Sequence, residues 1–160
     1  MNKTKIKEIF ASVQGEGPYV GVKQLFIRFC GCNLKCSYCD TDFSDGEEFS
    51  PESLAARVKE FDHLSPHLPL NSISLTGGEP LLQTEFLKKF LPLTGKKIYL
   101  ETNATLPDKL LEVKPFIDIV SADIKLESAS GENVFELHEE FFTNCSGLET
   151  FAKIVFDENI

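Results

Sequence analysis

Four of the five cysteines of this 160-residue chain fall within ten positions, and this spacing constrains the structure more than any other feature. They are Cys30, Cys32, Cys36 and Cys39, whereas Cys145 stands apart. A disulfide framework spreads its cysteines along the chain, and no apolar segment follows the basic N-terminal residues as it would in an export signal. The spacing therefore predicts a metal or cofactor site in a protein of the reducing cytoplasm.

The tightest part of this group is Cys32-Asn33-Leu34-Lys35-Cys36-Ser37-Tyr38-Cys39, a C-x3-C-x2-C spacing. Three thiolates on one loop can bind three irons of a 4Fe–4S cluster, which leaves the fourth iron open to an outside molecule. A structural zinc site needs four closed ligands, and only Cys30 remains nearby as a fourth. We place Cys30 at the end of a strand, on the face of Phe26 and Arg28, and expect it to line the interior. A zinc knuckle and a redox-active cysteine cluster remain alternatives at this point.

Strand-like apolar segments alternate with amphipathic helical segments, and this order predicts an α/β fold. Repeated β-α units of this length imply a parallel sheet with right-handed crossovers, either open or curled towards a barrel. We expect a single domain over residues 1–160 that lacks the last β-α unit of a complete barrel. The predicted strands cover residues 24–29, 71–76, 97–102, 117–122 and 151–156.

The charge balance argues against a nucleic-acid-binding surface, because 25 acidic residues outnumber 16 basic ones and the net charge is −9. No apolar run approaches the roughly 18 residues of a transmembrane helix. We therefore expect neither a nucleic acid nor a membrane as a partner. The three histidines, His63, His67 and His138, lie in polar or helix-end contexts, and we expect them at the surface.

Polar clusters follow three of the predicted strands at their carboxyl ends. They are Thr76-Gly77-Gly78-Glu79-Pro80, Glu101-Thr102-Asn103 and Ser121-Ala122-Asp123-Ile124-Lys125. The glycines let the backbone approach a ligand closely, and Glu79 can accept hydrogen bonds from an ammonium group. Binding and catalysis concentrate at this edge in β/α barrels, so we expect one shared site there. A simple β-to-α turn is the alternative for the Glu79 segment.

A second group of polar residues precedes the cysteine loop. Gln14 and Glu16 lie close together in a glycine-rich segment, and their donors and acceptors suit an amidine-like edge such as that of a 2-aminopyrimidinone. Arg28 lies in an otherwise apolar strand and offers a rigid fork that matches a carboxylate. A turn loop and a surface arginine are the alternatives for these residues.

The cysteine loop, the Gly-Gly-Glu-Pro segment, the strand order and the aromatic Tyr38 together resemble the radical S-adenosylmethionine enzymes. This resemblance implies a partial (β/α)6-type barrel in which S-adenosylmethionine binds the open iron, and its reductive cleavage gives a 5′-deoxyadenosyl radical that takes a substrate hydrogen. It also implies two sets of binding residues. They are Cys32, Cys36 and Cys39 for the 4Fe–4S cluster, and Tyr38, Gly77, Gly78, Glu79, Thr102, Asn103, Ser121 and Lys125 for S-adenosylmethionine.

The segments 10–18, 26–28, 31–34 and 39–41, together with Gly21, more narrowly resemble the 7-carboxy-7-deazaguanine synthases, and this match spans nearly all of residues 8–125. The family implies a lyase reaction of queuosine biosynthesis, the ring contraction of 6-carboxy-5,6,7,8-tetrahydropterin to 7-carboxy-7-deazaguanine with loss of ammonia. By the same resemblance the pterin edge binds Gln14, Gly15 and Glu16, and its carboxylate binds Arg28. Thr41 would help to ligate a Mg²⁺ that also touches this carboxylate.

The resemblance further implies a flavodoxin or ferredoxin as electron donor and a homodimeric enzyme. Related enzymes often carry a glycine where this chain has Ala104, so we expect a different loop geometry there. Two other function classes stay open: a radical activase that acts on a glycine of a partner protein, as for anaerobic ribonucleotide reductase, and a non-catalytic iron–sulfur or zinc-binding module. The short length favours the activase, but Gln14-Gly15-Glu16-Gly17 and Arg28 favour the deazapurine enzyme over it. The Gly-Gly-Glu-Pro segment, which a binding module does not need, disfavours the module.

Overall fold

The computed structural model describes residues 3–42, 45–64 and 69–156, apart from the side chains of residues 62–64, and these residues form one seven-stranded sheet. Its strands are Thr4–Val13 (β1), Lys23–Phe29 (β2), Glu47–Phe49 (β3), Ser72–Gly77 (β4), Lys97–Thr102 (β5), Ile119–Ile124 (β6) and Glu149–Ile154 (β7). The spatial order is β3-β1-β2-β4-β5-β6-β7. Because β3 and β7 end this order, the sheet is open and does not close into a barrel.

The parallel core that the sequence predicts is confirmed. Strands β2, β4, β5, β6 and β7 pair in parallel, and each overlaps one of the five predicted strands. Two strands were not predicted: β1 pairs antiparallel with β2 on one side and with β3 on the other. They widen the sheet beyond β2 and bring the segment around Gln14 to the side of the parallel core.

The helices cover one face of the sheet. They are Pro51–Leu64 (α1), Thr84–Phe90 (α2), Pro107–Val113 (α3), Glu127–Ser130 (α4) and Phe135–Asn144 (α5). Helix α1 begins directly after Ser50, whose hydroxyl accepts a hydrogen bond from the Ser53 backbone N–H at 3.2 Å, as an N-cap does. None of the helices in residues 3–42, 45–64 and 69–156 is both long and apolar enough to cross a membrane.

The two faces of the parallel strands differ in polarity, which fixes where a site can form. In β4 the alternate residues Ile73 and Leu75 belong to the hydrophobic core beneath the helices. Ser74 and Thr76 point to the opposite face, since successive side chains of a strand alternate. There the Ser74 and Thr76 hydroxyls both donate hydrogen bonds to the Glu101 carboxylate of β5. The face away from the helices is therefore the polar one.

Candidate active site

The three cysteines of the predicted cluster loop lie around one pocket at the carboxyl edge of the parallel strands. The pocket has a volume of about 210 Å³. Of the residues predicted for this site, those that line it are Cys32, Cys36, Tyr38, Cys39, Thr41, Gly77, Gly78, Thr102, Asn103 and Lys125. We call it the thiol pocket. Leu34, Asp40, Thr76, Glu101 and Asp123 complete its wall.

The donor set of this pocket fits a 4Fe–4S cluster. Cys32, Cys36 and Cys39 are free thiols, and each would bind a different iron, so they need not converge on one point. Consistent with this, no three His, Cys, Asp or Glu side chains of the described residues stand close enough to hold a single metal ion. Burial raises the pKa of the Cys32 thiol, and a backbone hydrogen bond from Leu34 partly opposes this effect.

The remaining two cysteines stay outside the thiol pocket. Cys30 is buried, and its thiol contacts the Asp45 carbonyl oxygen at 3.5 Å beneath the loop before β3. Cys145 is buried at the end of α5, within the hydrophobic core. Neither residue lines a pocket that contains Cys32.

An asparagine network ties the cysteine loop to the turn after β5. The Asn103 side-chain amide donates to the side-chain oxygen of Asn33 at 2.9 Å and lies 3.8 Å from the Cys32 sulfur. The Asn33 amide in turn donates to the Thr105 hydroxyl at 2.9 Å. Asn103 therefore ties the turn after β5 to the cysteine loop, with its amide beside the Cys32 sulfur.

The Gly77–Gly78 segment crosses the base of the cysteine loop at contact distance. The Gly78 N–H donates to the Phe29 carbonyl oxygen at 3.0 Å, and the Glu79 N–H donates to that of Gly31 at 2.8 Å. A Cβ atom on Gly78 would lie 1.7 Å from the Gly31 oxygen, so only glycine fits at this crossing. Gly77 has a φ of +115°, which favours glycine for a second reason.

Glu79 lies behind the pocket wall and does not line the thiol pocket in this structure. Its carboxylate is fully buried and accepts hydrogen bonds from the Leu81 N–H, the Thr102 hydroxyl and the Asn103 N–H, at 2.8 to 3.0 Å. Burial raises the pKa of Glu79 to about 7, although these three hydrogen bonds favour the ionised form. Glu79 thus shapes the turn that carries Thr102 and Asn103.

The raised pKa of Glu79 predicts a pH-dependent stability. The folded protein keeps this proton up to about pH 7, whereas the unfolded chain releases it near pH 4.5, so between these values the folded state binds more protons. The contribution of Glu79 to the free energy of unfolding is complete below pH 4.5. It declines by about 3 kcal/mol in total as the pH rises through 7. We expect urea unfolding of Glu79→Gln to show lower stability throughout but a flatter pH profile than wild type.

A matched change at an exposed carboxylate provides the control. Glu136 lies at the exposed start of α5, and Glu136→Gln should keep the wild-type pH profile. A Glu79→Gln profile as steep as that of wild type would contradict the assignment.

A second pocket, of about 310 Å³, adjoins the first one and contains the residues predicted for the pterin. Gln14, Gly15, Glu16 and Arg28 line it, and so do the rings of Phe10 and Phe26. These two rings stack with centroids 5.2 Å apart and planes 8° apart. We call it the polar pocket. Thr76 and Glu101 line both pockets, so the two spaces meet at these side chains.

Glu101 is held at this junction by three hydrogen bonds, which come from β4 and from the segment after β1. Its carboxylate accepts from the Gln14 amide at 2.9 Å, from Ser74 at 3.0 Å and from Thr76 at 3.1 Å. The Gln14 carbonyl oxygen accepts from the Gly15 and Glu16 N–H groups. The Gln14 side chain therefore orients Glu101 and the turn at residues 15–16.

Arg28 reaches the polar pocket from β2 but is paired with an acidic neighbour. Its guanidinium donates to the Glu8 carboxylate at 2.5 Å and lies 6.0 Å from the centre of the Phe10 ring. One quarter of the Arg28 side chain remains exposed, so the guanidinium is accessible from the pocket.

A chain of charged side chains connects the two pockets along β6 and β7. Lys125 donates to the Tyr38 hydroxyl at 3.0 Å and pairs with Asp123 at 3.3 Å. Lys153 pairs with Asp123 at 3.4 Å and with Glu16 at 2.6 Å. Lys153 was not predicted from the sequence, because it lies more than a hundred positions from Glu16.

The prediction that His138 lies at the surface is wrong. Its imidazole is 2% exposed; Nε2 accepts a hydrogen bond from the Lys125 N–H at 3.0 Å, and Nδ1 donates to the Ala104 carbonyl oxygen at 3.1 Å. It therefore joins two backbone segments of the thiol pocket. Val134, His138 and Phe141 follow a helical spacing and are all buried. This spacing was the sequence signal that could have placed His138 on the buried face of α5. The His63 side chain and His67 fall outside the described residues.

Ser121 is fully buried and does not line the thiol pocket in this structure. Its hydroxyl lies on the polar face of β6 beside the Tyr99 hydroxyl. Neither hydroxyl has a partner at good hydrogen-bond geometry among the described residues. Burial raises the pKa of Tyr99 to about 12, so its phenol stays protonated.

Comparisons with known proteins agree with this arrangement. A family model described as the Radical SAM superfamily matches residues 26–141. A 7-carboxy-7-deazaguanine synthase of Geobacter sulfurreducens is 37% identical over 96% of this chain, and one of Methanothermobacter thermautotrophicus is 40% identical over 82%. The crystal structure of QueE from Escherichia coli shares the fold, with a TM-score of 0.59 and 22% identity over 87% of this chain.

The matches extend over only part of each relative. They cover 70% of the Geobacter protein, 53% of the Methanothermobacter protein and 67% of the Escherichia coli chain.

Proposed function

We propose that this chain converts 6-carboxy-5,6,7,8-tetrahydropterin to 7-carboxy-7-deazaguanine with release of ammonia. The proposal starts from its family: the chain belongs to the radical SAM superfamily and, within it, to the 7-carboxy-7-deazaguanine synthases. The product is the deazapurine core of queuosine-type nucleosides. The observation that carries the proposal is the meeting of the thiol pocket and the polar pocket at Thr76 and Glu101.

In this arrangement the thiol pocket holds the cofactors. When bound, the 4Fe–4S cluster and S-adenosylmethionine supply a carbon radical, through one-electron reductive cleavage of the S-adenosylmethionine sulfonium, that is able to take hydrogen from C6 of the pterin. Cys32, Cys36 and Cys39 hold the cluster, while Gly77, Gly78, Thr102 and Asn103 provide the backbone and amide groups beside it. Glu79 and Ser121 do not line the thiol pocket in this structure. Glu79 fixes the Thr102–Asn103 turn, and Ser121 lies on the polar face of β6.

The polar pocket suits the pterin. The flat pyrimidinone ring of the pterin fits beside the stacked rings of Phe10 and Phe26, and the Glu16 carboxylate can accept hydrogen bonds from its amino group and ring N–H. Arg28 can bind the substrate carboxylate in place of Glu8, since its planar fork matches either carboxylate. Gln14 acts by orienting Glu101 towards the junction.

We also propose a Mg²⁺ near Thr41, supported by the oxygen donors at that point of the thiol pocket. The Thr41 hydroxyl lies 3.3 Å from an Asp40 carboxylate oxygen, and both residues line the pocket. Hydroxyl, carboxylate and substrate oxygens are the hard ligands that Mg²⁺ takes, with water filling the remaining positions.

Two further assignments rest on the family resemblance. They are a flavodoxin or ferredoxin as the one-electron donor and a homodimeric assembly. Reduction of the reconstituted cluster by each purified donor, and sedimentation of the holoenzyme, would test them.

The test of the proposed function is an anaerobic reaction of the iron–sulfur-reconstituted protein with reductant, Mg²⁺, S-adenosylmethionine and 6-carboxytetrahydropterin. We expect mass spectrometry to show 7-carboxy-7-deazaguanine as product, with S-adenosylmethionine regenerated. Formation of 5′-deoxyadenosine without the deazapurine would retain the radical chemistry but contradict the substrate.

The Arg28→Gln variant tests the carboxylate contact in a separate binding experiment. We expect it to weaken binding of 6-carboxypterin, a stable fluorescent analogue, by about 10- to 100-fold, because a charge-assisted bidentate contact is lost. Binding of pterin itself, which has no carboxylate, should not change. Arg57→Gln is the matched control, since Arg57 makes an exposed ion pair with Glu60 on α1. Equal weakening of both pterins would contradict the role given to Arg28.

A further inference from the structure

We propose that Lys153 is a positioning residue shared by the two pockets, whose ammonium group holds Glu16 at the rim of one and Asp123 at the rim of the other. The inference rests on the proposed function, which assigns Glu16 to the pterin and the thiol pocket to S-adenosylmethionine. It adds a residue on β7 that touches neither ligand and acts on both through its two carboxylate partners.

The geometry places one cation between two acids that belong to different pockets. The Lys153 ammonium lies 2.6 Å from a Glu16 oxygen and 3.4 Å from an Asp123 oxygen. Glu16 lines the polar pocket and Asp123 lines the thiol pocket. In the pairing of β6 with β7, Asp123 and Lys153 stand opposite each other, so the register of the sheet fixes this contact.

Other contacts of β7 hold the Glu16 loop in place, so the ion pair is not an isolated surface contact. The Phe151 ring packs against Gly17 so closely that a Cβ atom there would lie 2.4 Å from it. The Tyr19 hydroxyl donates to the Glu149 carboxylate at 2.7 Å. Residues 17–19 therefore pack along β7 on one side of the Lys153–Glu16 pair.

Burial distinguishes the Lys153–Asp123 pair from ordinary surface ion pairs, whereas the Glu16 side chain, 64% exposed, meets Lys153 at the rim. The Lys153 side chain is 20% exposed and that of Asp123 is 27% exposed. Burial disfavours the ammonium form, but Asp123 and Glu16 outweigh it and raise the pKa of Lys153. The residue therefore stays charged at neutral pH. Since Lys153 binds one oxygen of Glu16, it fixes the orientation of the whole carboxylate towards a ligand.

The test compares the binding of two ligands to reconstituted, unreduced holoenzyme, which cannot turn over. The probes are 6-carboxypterin, followed by its fluorescence, and S-adenosylmethionine, followed by calorimetry. We expect Lys153→Met to weaken both by about tenfold, Glu16→Gln to weaken only the pterin, and Asp123→Asn to weaken only S-adenosylmethionine. Lys153→Arg should restore both affinities. Lys109→Met, which removes the ion pair with Glu112 on α3, is the matched control.

A double variant separates positioning from a general loss of structure. If Lys153 acts on the pterin through Glu16, then Glu16→Gln combined with Lys153→Met should bind 6-carboxypterin no more weakly than Glu16→Gln alone. Lys153→Gln serves where the methionine variant fails to fold. Wild-type affinity for either ligand in Lys153→Met or Lys153→Gln, or a further loss in the double variant, would overturn the inference. Wild-type protein that binds S-adenosylmethionine but not 6-carboxypterin would instead overturn the proposed substrate, and this inference with it.

Discussion

Replacing Cys32 by alanine should leave a folded protein that assembles less than about a tenth of the wild-type cluster and forms neither 5′-deoxyadenosine nor deazapurine. The expectation follows from the thiol pocket, where Cys32, Cys36 and Cys39 are the only thiols of the described residues that line the wall. Two remaining thiolates cannot hold three irons. Iron and acid-labile sulfide content, together with the electron paramagnetic resonance of the reduced protein, measure the effect separately from turnover.

The matched control is Cys145→Ala, which removes a buried thiol from the core beside α5. This change leaves a small cavity and lowers the free energy of unfolding by about 1 kcal/mol, but it should leave the cluster content unchanged. If Cys32→Ala retained a full cluster and Cys145→Ala lost it, the assignment of the thiol pocket would be wrong.

Gly78→Ala should be nearly as damaging, although it removes no ligand. The added Cβ atom would meet the Gly31 oxygen at 1.7 Å and the Gly31 carbonyl carbon at 2.4 Å, so the end of β4 must move away from the base of the cysteine loop. This movement breaks the two backbone hydrogen bonds that join these segments. We expect a loss of about 3 kcal/mol or more in the free energy of unfolding, together with poor cluster assembly.

Gly15→Ala is the control for Gly78→Ala. A Cβ atom on Gly15 has no neighbour within 4 Å, and its backbone is not in the left-handed region. Its thermal unfolding and its cluster content should therefore match those of wild type. A Gly78→Ala protein as stable as Gly15→Ala would show that the crossing can relax, contrary to the tight contact described above.

The parallel core was predictable because its strands are apolar runs bounded by glycine and polar residues. Strand β1 was not, since its exposed and buried residues do not alternate regularly and Lys5, Lys7 and Glu8 interrupt its apolar residues. Strand β3 has only three residues, too few for any periodic signal. Backbone pairing to β2 holds β1, and pairing to β1 holds β3, and no local pattern in the sequence expresses either pairing.

Within the site, the sequence identified residue types better than their individual roles. Gln14 stands where it was expected, but its amide is used to orient Glu101 and the adjacent turn. Lys153 and His138 were missed because their partners are distant in sequence, and only the folded chain brings them together. A motif shows which residues are neighbours along the chain, whereas a role depends on neighbours in space.

At Ala104 this chain differs in sequence from related enzymes, and the fold accommodates the difference. Related enzymes often carry glycine here, and the residue has a φ of +56° in this chain, the left-handed conformation that glycine adopts freely. Alanine in this conformation costs about 1 kcal/mol. The hydrogen bond from the His138 imidazole to the Ala104 carbonyl oxygen helps to hold the turn in place.

The long-range contacts of the site have a consequence for how the protein is made. Tyr38 meets Lys125 across 87 positions of the chain, and Glu16 meets Lys153 across 137. At a synthesis rate of about 5–20 residues per second, roughly 10 s separate the emergence of Glu16 from that of its partner. During this interval the cysteine loop is already synthesised but lacks the walls that shield it from oxidants. Iron–sulfur loading is therefore expected to follow translation rather than accompany it.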